Sequence, residues 1–431
     1  MATYKGINGF AVQSVATDPS PLDEGQVWYN NATYAFKLAS VTTAGTWASG
    51  GALGTGRYSL GGFGLQTAAV AVGGYNVVPV TNLTNTENYD GTAWTASGSL
   101  TTGRRYLSGI GFGTQTAGAI YGGVTNTTLP QTYTNATEEY DGSTWTSGGT
   151  LNTAKGNASN AGTQTAAIAF GGSDKTPGTG SVALTGTESY NGTSWTNTPS
   201  TVITRSSVAG FGTQTAALCV TGNNDVGGNQ ATNATESWNG SSWTTIPATV
   251  NNARNGSSGV GIQTAGLIFG GYTPSNGNWA ATESYNGSSW TSVNSLNTAR
   301  RGGGAAGIQT AALFFAGDDS LTATESWNGT SWTTVNSLNI PKSSPGGAGS
   351  QTAALSFGGN SNGSVTGATE LWNGTSWTNN PTGLGTARSS MATGLGTPAA
   401  ALSAGGYSTD VTTATEEWTG QALATRTVTV S

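Results

Sequence analysis

One short phrase recurs along this chain and constrains its fold more than any other feature. The step Gln-Thr-Ala stands at Gln66, Gln115, Gln164, Gln214, Gln263, Gln309 and Gln351, and an eighth copy reads Thr397-Pro398-Ala399-Ala400, with proline in the glutamine place. Successive copies lie 49, 49, 50, 49, 46, 42 and 47 residues apart. A near-constant period of this size marks supersecondary units that bury their apolar faces only by stacking on neighbours. Length alone, 431 residues, suggests two or three domains. The repeat overrides that prior and calls for one array.

Each unit has four parts. A Gly/Ala/Ser-rich segment, such as 58–64 or 206–212, leads into a short apolar run such as 311–315. That run is nearly continuous, which suits a strand covered on both faces. After a polar loop come Thr-Glu-x-aromatic and a tryptophan segment, joined by Asn-Gly or Asp-Gly, a strong hairpin signal. No helical periodicity appears. Four short strands in each of eight units predict an all-β chain: a β-propeller of eight four-stranded blades, seven being the alternative count. The eighth unit lacks a tryptophan after Trp418 (Leu423 stands at that offset), whereas Trp47 has no unit before it. The expected closure therefore gives the N-terminal Trp47 strand to the last blade, because its linker to Arg57 copies the usual blade-to-blade linker. The rival closing strand is 423–430, LATRTVTV, which otherwise is free to pair with a β-hairpin expected over 26–38. The domain expectation is an anchor and linker over 1–25, a β-hairpin region over 26–44 and the propeller over 45–431.

The units resemble kelch repeats in four features that recur together over about 45–420: a basic residue, a di-glycine, Glu-x-aromatic, and tryptophan. The basic residues are Arg57, Arg104, Lys155, Arg205, Arg254, Arg300, Lys342 and Arg388; the glutamates are Glu87, Glu138, Glu188, Glu236, Glu283, Glu325, Glu370 and Glu416. The tryptophans are Trp47, Trp94, Trp145, Trp195, Trp243, Trp290, Trp332 and Trp377. One glutamate and one basic residue per unit read as a structural bond at the blade's edge, and the aromatic residues read as inter-blade packing. The di-glycine departs to Thr221-Gly222 and Ala316-Gly317, where a relaxed backbone approach is expected.

Composition removes several function classes. There is no histidine, which excludes Ser-His-Asp and Cys-His nucleophiles and the histidine-ligated copper of kelch oxidases. The net charge of −6 and the lack of Lys/Arg clusters argue against nucleic acid. No apolar run approaches the ~20 residues of a membrane span, and 1–25 shows no basic segment followed by an apolar one, so neither membrane insertion nor a secretory leader is expected. Cys219 sits in an apolar run and reads as a small buried hydrophobe. No pair of carboxylates stands apart from the repeat as a glycosidase would need. The expectation is no enzyme, no cofactor and no metal; Asp318-Asp319 lack the ligand-spaced loop of a calcium site.

Variation between units is concentrated between the di-glycine and Thr-Glu, where 11, 13, 14, 12, 10, 6, 9 and 8 residues intervene. Variable loops on a constant scaffold are where binding resides. The candidate ligand residues in these loops are Tyr133, Asp174, Lys175, Asn223, Asn224, Asp225 and Trp279, a mixture suited to a polyhydroxylated ligand.

Ahead of the units, GQVWYN…FKL leads to TWASGG and then to near-identical repeats. This layout resembles marine tailed-phage appendage proteins of the tail-fibre, head-fibre or decoration type. The resemblance implies a virion structural protein present in several copies on a symmetric assembly, made in the bacterial host, which binds a host-surface glycan or protein. Tyr4, Phe10, Val12 and Val15 are then expected to dock onto other virion proteins. A bacterial cell-surface or secreted lectin-like module is the alternative.

Overall fold

The structure is a computed structural model, and it describes residues 12–20, 26–43, 45–107, 113–128, 131–156, 158–174, 182–205, 208–224, 230–246, 249–389, 392–397, 399–420 and 422–428. Among them every regular element is a β-strand. Each repeated unit folds into a small antiparallel four-stranded sheet, an arrangement compatible with a propeller. The third unit shows the pattern with Ser159–Thr163, Ala166–Phe170, Thr187–Tyr190 and Trp195–Thr198 in that spatial order. Its register pairs Gly162 with Ala167, Ala169 with Glu188, and Tyr190 with Trp195.

The apolar second strand is buried on both faces because each sheet is covered by the next. Eight hydrophobic clusters occur among the described residues, and each is shared by two neighbouring sheets. Ile168 and Phe170 of the third unit pack with Cys219, Trp238 and Trp243 of the fourth. Leu402 and Ala404 of the last pack with Ala69, Ala71 and Tyr89 of the first. Burial of an aromatic or branched side chain stabilises by roughly 1.5–3 kcal/mol, so each sheet depends on its neighbours for most of its stability.

The last sheet takes Thr46–Ser49 as its fourth strand, with Trp47 opposite Trp418, as expected from the sequence. The C-terminal strand Ala422–Thr427 pairs instead with Ala35–Thr43 of the N-terminal hairpin. Gln13–Val15 adds to that small sheet, parallel to Val27–Asn30, so a stretch expected to be part of an anchor and linker carries a strand. The hairpin turn spans residues 31–34, with Asn30 Oδ1 accepting the N–H groups of Ala32 and Thr33.

The Asn-Gly hairpin forms as expected, with four residues, 191–194, between paired Tyr190 and Trp195. Asn191 Oδ1 accepts from Thr193 N and Ser194 N at 2.9 Å, and Gly192 takes φ +88°. One local expectation needs correction: the backbone is not relaxed where the di-glycine is lost. Thr221 and Ala316 adopt φ +55° and +62°, matching Gly171 at +60°, because the next residue still bonds to the following unit: Gly222 N donates to Arg254 O and Gly317 N to Lys342 O. A left-handed threonine is strained and persists because the packing over-determines it.

Candidate functional site

The repeated charged and aromatic residues form the frame on which any site must sit. Glu283 accepts from Arg254 Nη1 at 2.9 Å and from the linker N–H of Asn251 at 2.6 Å. Glu325 does the same with Arg300 and Asn297, and Glu370 is held by Lys342 and Asn339. Arg57 and Arg104 bond Glu87 and Glu138, and each also donates to two backbone carbonyls of its own unit. The pairs Lys155–Glu188, Arg205–Glu236 and Arg388–Glu416 complete the set. All eight cations are fully buried and the glutamates nearly so, each pair joining a linker to a strand. Burial lowers the pKa of Arg254 and Arg300 against the opposing pull of their glutamates, and drives Lys342 down to about 8. Burial likewise pushes the Cys219 thiol up to about 11, consistent with an inert apolar filler.

The fourth-strand tryptophans tie each unit to the one before it. Trp145, Trp195, Trp243, Trp332 and Trp377 donate Nε1–H to Thr86, Thr137, Thr187, Thr282 and Thr324. Trp94 reaches Thr415 of the last unit, and Trp47 reaches Thr369 of the seventh. At the remaining junction Trp290 Nε1 and Thr235 Oγ1 are buried without a hydrogen-bond partner among the described residues. The repeated glutamines make a second tie. Gln115 Nε2 donates to Ala69 O and Tyr89 O, and Gln164 to Gly118 O and Tyr140 O.

This frame has two unlike ends. One carries the Gln-Thr-Ala and Asn-Gly turns, uniform from unit to unit. The other carries the linkers and the variable loops, which form ribbons such as Tyr75–Val77 with Val80–Asn82. In the last unit Trp418 pairs with Trp47 where other units bear an Asn-Gly turn. The terminal sheet therefore leaves from the uniform end, opposite the variable loops. It exposes Val27, Phe36 and Val428, with Tyr29 and Phe36 rings 5.1 Å apart.

Among the described residues, the loop residues chosen from the sequence engage separate partners. Tyr133 lies against the backbone of Gly156, where a Cβ would meet its ring at 2.4 Å. Trp279 turns back on its own loop, Nε1 donating to Thr273 Oγ1 at 3.1 Å. Asn223 accepts from Asn255 Nδ2 at 2.6 Å, and Asp174 pairs in a two-residue strand with Val182. Asn224 pairs with Gln230. Lys175 and Asp225 lie outside the described residues, as do Tyr4 and Phe10. Val12 is exposed and Val15 is half-buried in its strand. Asp318 is engaged by Arg301 Nε at 2.5 Å.

What the fold does bring together was missed. In six units the residue after the basic one bridges to the first residue of the variable loop, as in Tyr58 with Tyr75 and Ser389 with Tyr407. Tyr58 meets Tyr75 edge-on at 5.5 Å and Tyr407 of the preceding unit at 5.8 Å. Arg105 lies 4.6 Å over the Tyr75 ring and 5.6 Å over Tyr106. Burial, then the neighbouring Tyr106 and Tyr75, raises the Tyr58 pKa. A smaller cluster places Arg301 3.9 Å over Tyr272. The signal was present in the residues beside the conserved-spacing basic and di-glycine steps, not in loop length. No family model matches this sequence, and no curated protein is significantly similar to it.

Proposed function

We propose that the chain is an eight-bladed, kelch-like β-propeller closed by its N-terminal Trp47 strand. On this reading it is a bacteriophage virion structural protein of the tail-fibre, head-fibre or decoration type that recognises a host-surface glycan or protein, without catalysis. The eight shared clusters and the tryptophan–threonine ties that join the last unit to both neighbours support the ring. The observation that carries the functional reading is the polarity of the frame. Both ends of the described chain meet in one small sheet with an apolar exposed face, while the variable loops gather at the opposite end. Such a body is built to be held at one end and to display the other. Its partners are other virion proteins at the terminal sheet and the 1–25 segment, and the host surface at the loops.

Peptide mass spectrometry on density-banded particles, set against the cell-envelope fraction, tests this directly. Peptides such as SLNTAR enriched with particles are expected, and deletion of 1–25 should leave a folded propeller that no longer joins them. Enrichment with envelopes alone would make the chain a bacterial surface or secreted lectin-like module and overturn the reading.

A further inference from the structure

We propose that the tyrosine cluster at the junction of the eighth, first and second blades is a carbohydrate site, with Tyr58, Tyr106 and Tyr407 as the platform for a pyranose ring. This inference rests on the surface-recognition reading and assigns its site and ligand class.

The frame does not need these rings. At the position of Tyr58 the other described units carry Arg105, Gly156, Asn255, Arg301, Ser343 and Ser389, and the same backbone bridge forms with glycine, asparagine or serine there. One residue further on, the backbone is left-handed in every described unit: Ser59 at φ +52°, Gly256 at +58°, Gly302 at +66°, Ser344 at +47°. Only at Tyr106 does a bulky side chain take that conformation, at +51°. Small residues suit it, and a tyrosine there is strained without benefit to the core, since its side chain points out and is 38% exposed. Strain kept at a surface position is a signature of a functional one.

The cluster also has the make-up of a sugar platform. Tyr106 and Tyr407 are exposed and Tyr58 and Tyr75 half-buried, so the cluster presents aromatic surface to solvent. Aromatic faces stack on the C–H face of a pyranose, and phenol and amide groups bond its hydroxyls. Arg105 braces the arrangement between Tyr75 and Tyr106. It is anchored through Nη1 to Asn82 Oδ1 at 2.6 Å and forms no ion pair among the described residues, unlike the eight framework cations. Asn82 is itself fixed by donating to Val124 O and Asn126 O. Exposed Val78 and Val80, at the tip of the Tyr75 loop, add an apolar rim.

The test applies the full chain to an array of neutral and uronic-acid-containing bacterial oligosaccharides, in parallel with a particle-adsorption competition assay. Y106S/Y407S should lose at least tenfold in sugar affinity while melting no lower than the parent, because serine already occupies both kinds of position elsewhere in the frame. V202S, at an exposed linker position on the same end of the molecule, should bind as the parent does. Undiminished binding by Y106S/Y407S overturns the site. A parent chain that blocks adsorption yet binds no sugar overturns the ligand class alone. A chain that does neither removes the surface-recognition reading beneath it.

Discussion

The junction between the third and fourth sheets and that between the seventh and eighth do the same work with differently sourced chain. In the first, Trp243 donates to Thr187 at 2.9 Å and lies 5.0 Å from Phe170, while the Gln214 amide donates to Tyr190 O. In the second, Trp47 donates to Thr369 at 2.8 Å and lies 5.0 Å from Phe357, although it comes from the opposite end of the sequence. The glutamine tie is absent there, since Pro398 has no side-chain amide. Asn380 Nδ2 bonds Gly45 O across this junction, as Asn336 Nδ2 bonds Thr375 O in the one before it. Packing geometry thus follows position in the array and not chain continuity.

The sharpest way to break this comparison is to remove the borrowed strand. Deleting 41–50 should destabilise the whole array far more than deleting 424–431, as urea unfolding of the two truncations would reveal; equal midpoints would mean that the last sheet does not depend on Trp47. Within the seams, W47A and W243A should each cost about 3–5 kcal/mol, and a much smaller loss at Trp47 would show that the two junctions are not equivalent. E283Q, which strips a buried arginine of its partner, should cost about 3–5 kcal/mol, measured by the same unfolding. Lys342 offers a pH test. Its folded pKa of about 8 lies below the ordinary 10.5, so between these values the unfolded chain binds more protons than the folded one. Stability should then rise with pH across that window, by at most about 1.4 kcal/mol per pH unit. K342R should flatten this slope; an unchanged slope would assign it to other groups. The smallest effect belongs to the half-exposed Arg301–Asp318 pair, where D318N should cost about 1 kcal/mol or less and fade with added salt.

The sheet-forming pattern was legible because each unit restates it: the second-strand run, the Thr-Glu step and the tryptophan fall on neighbouring strands in every unit. Pairing of Trp47 with Trp418 could be read from the linker it shares with later tryptophans. The depth of the charged pairs could not, because a charged residue reads as surface unless its partner's place is known, and Arg254 meets Glu283 only after the chain has folded back. The tyrosine cluster was hidden for a similar reason. Tyr58, Tyr75, Arg105 and Tyr407 belong to three units, and only the contact of the last unit with the first brings Tyr407 beside Tyr58.

The borrowed strand also orders events in time. Thr46–Ser49 is synthesised about 370 residues before the strand it pairs with. At a translation rate of ~5–20 residues per second, it waits on the order of half a minute, while seven sheets assemble in sequence behind it. Until that strand arrives it is an unpaired edge able to recruit a foreign strand. Thr415–Thr419, a strand that follows all seven intervening sheets, is the one that closes this edge.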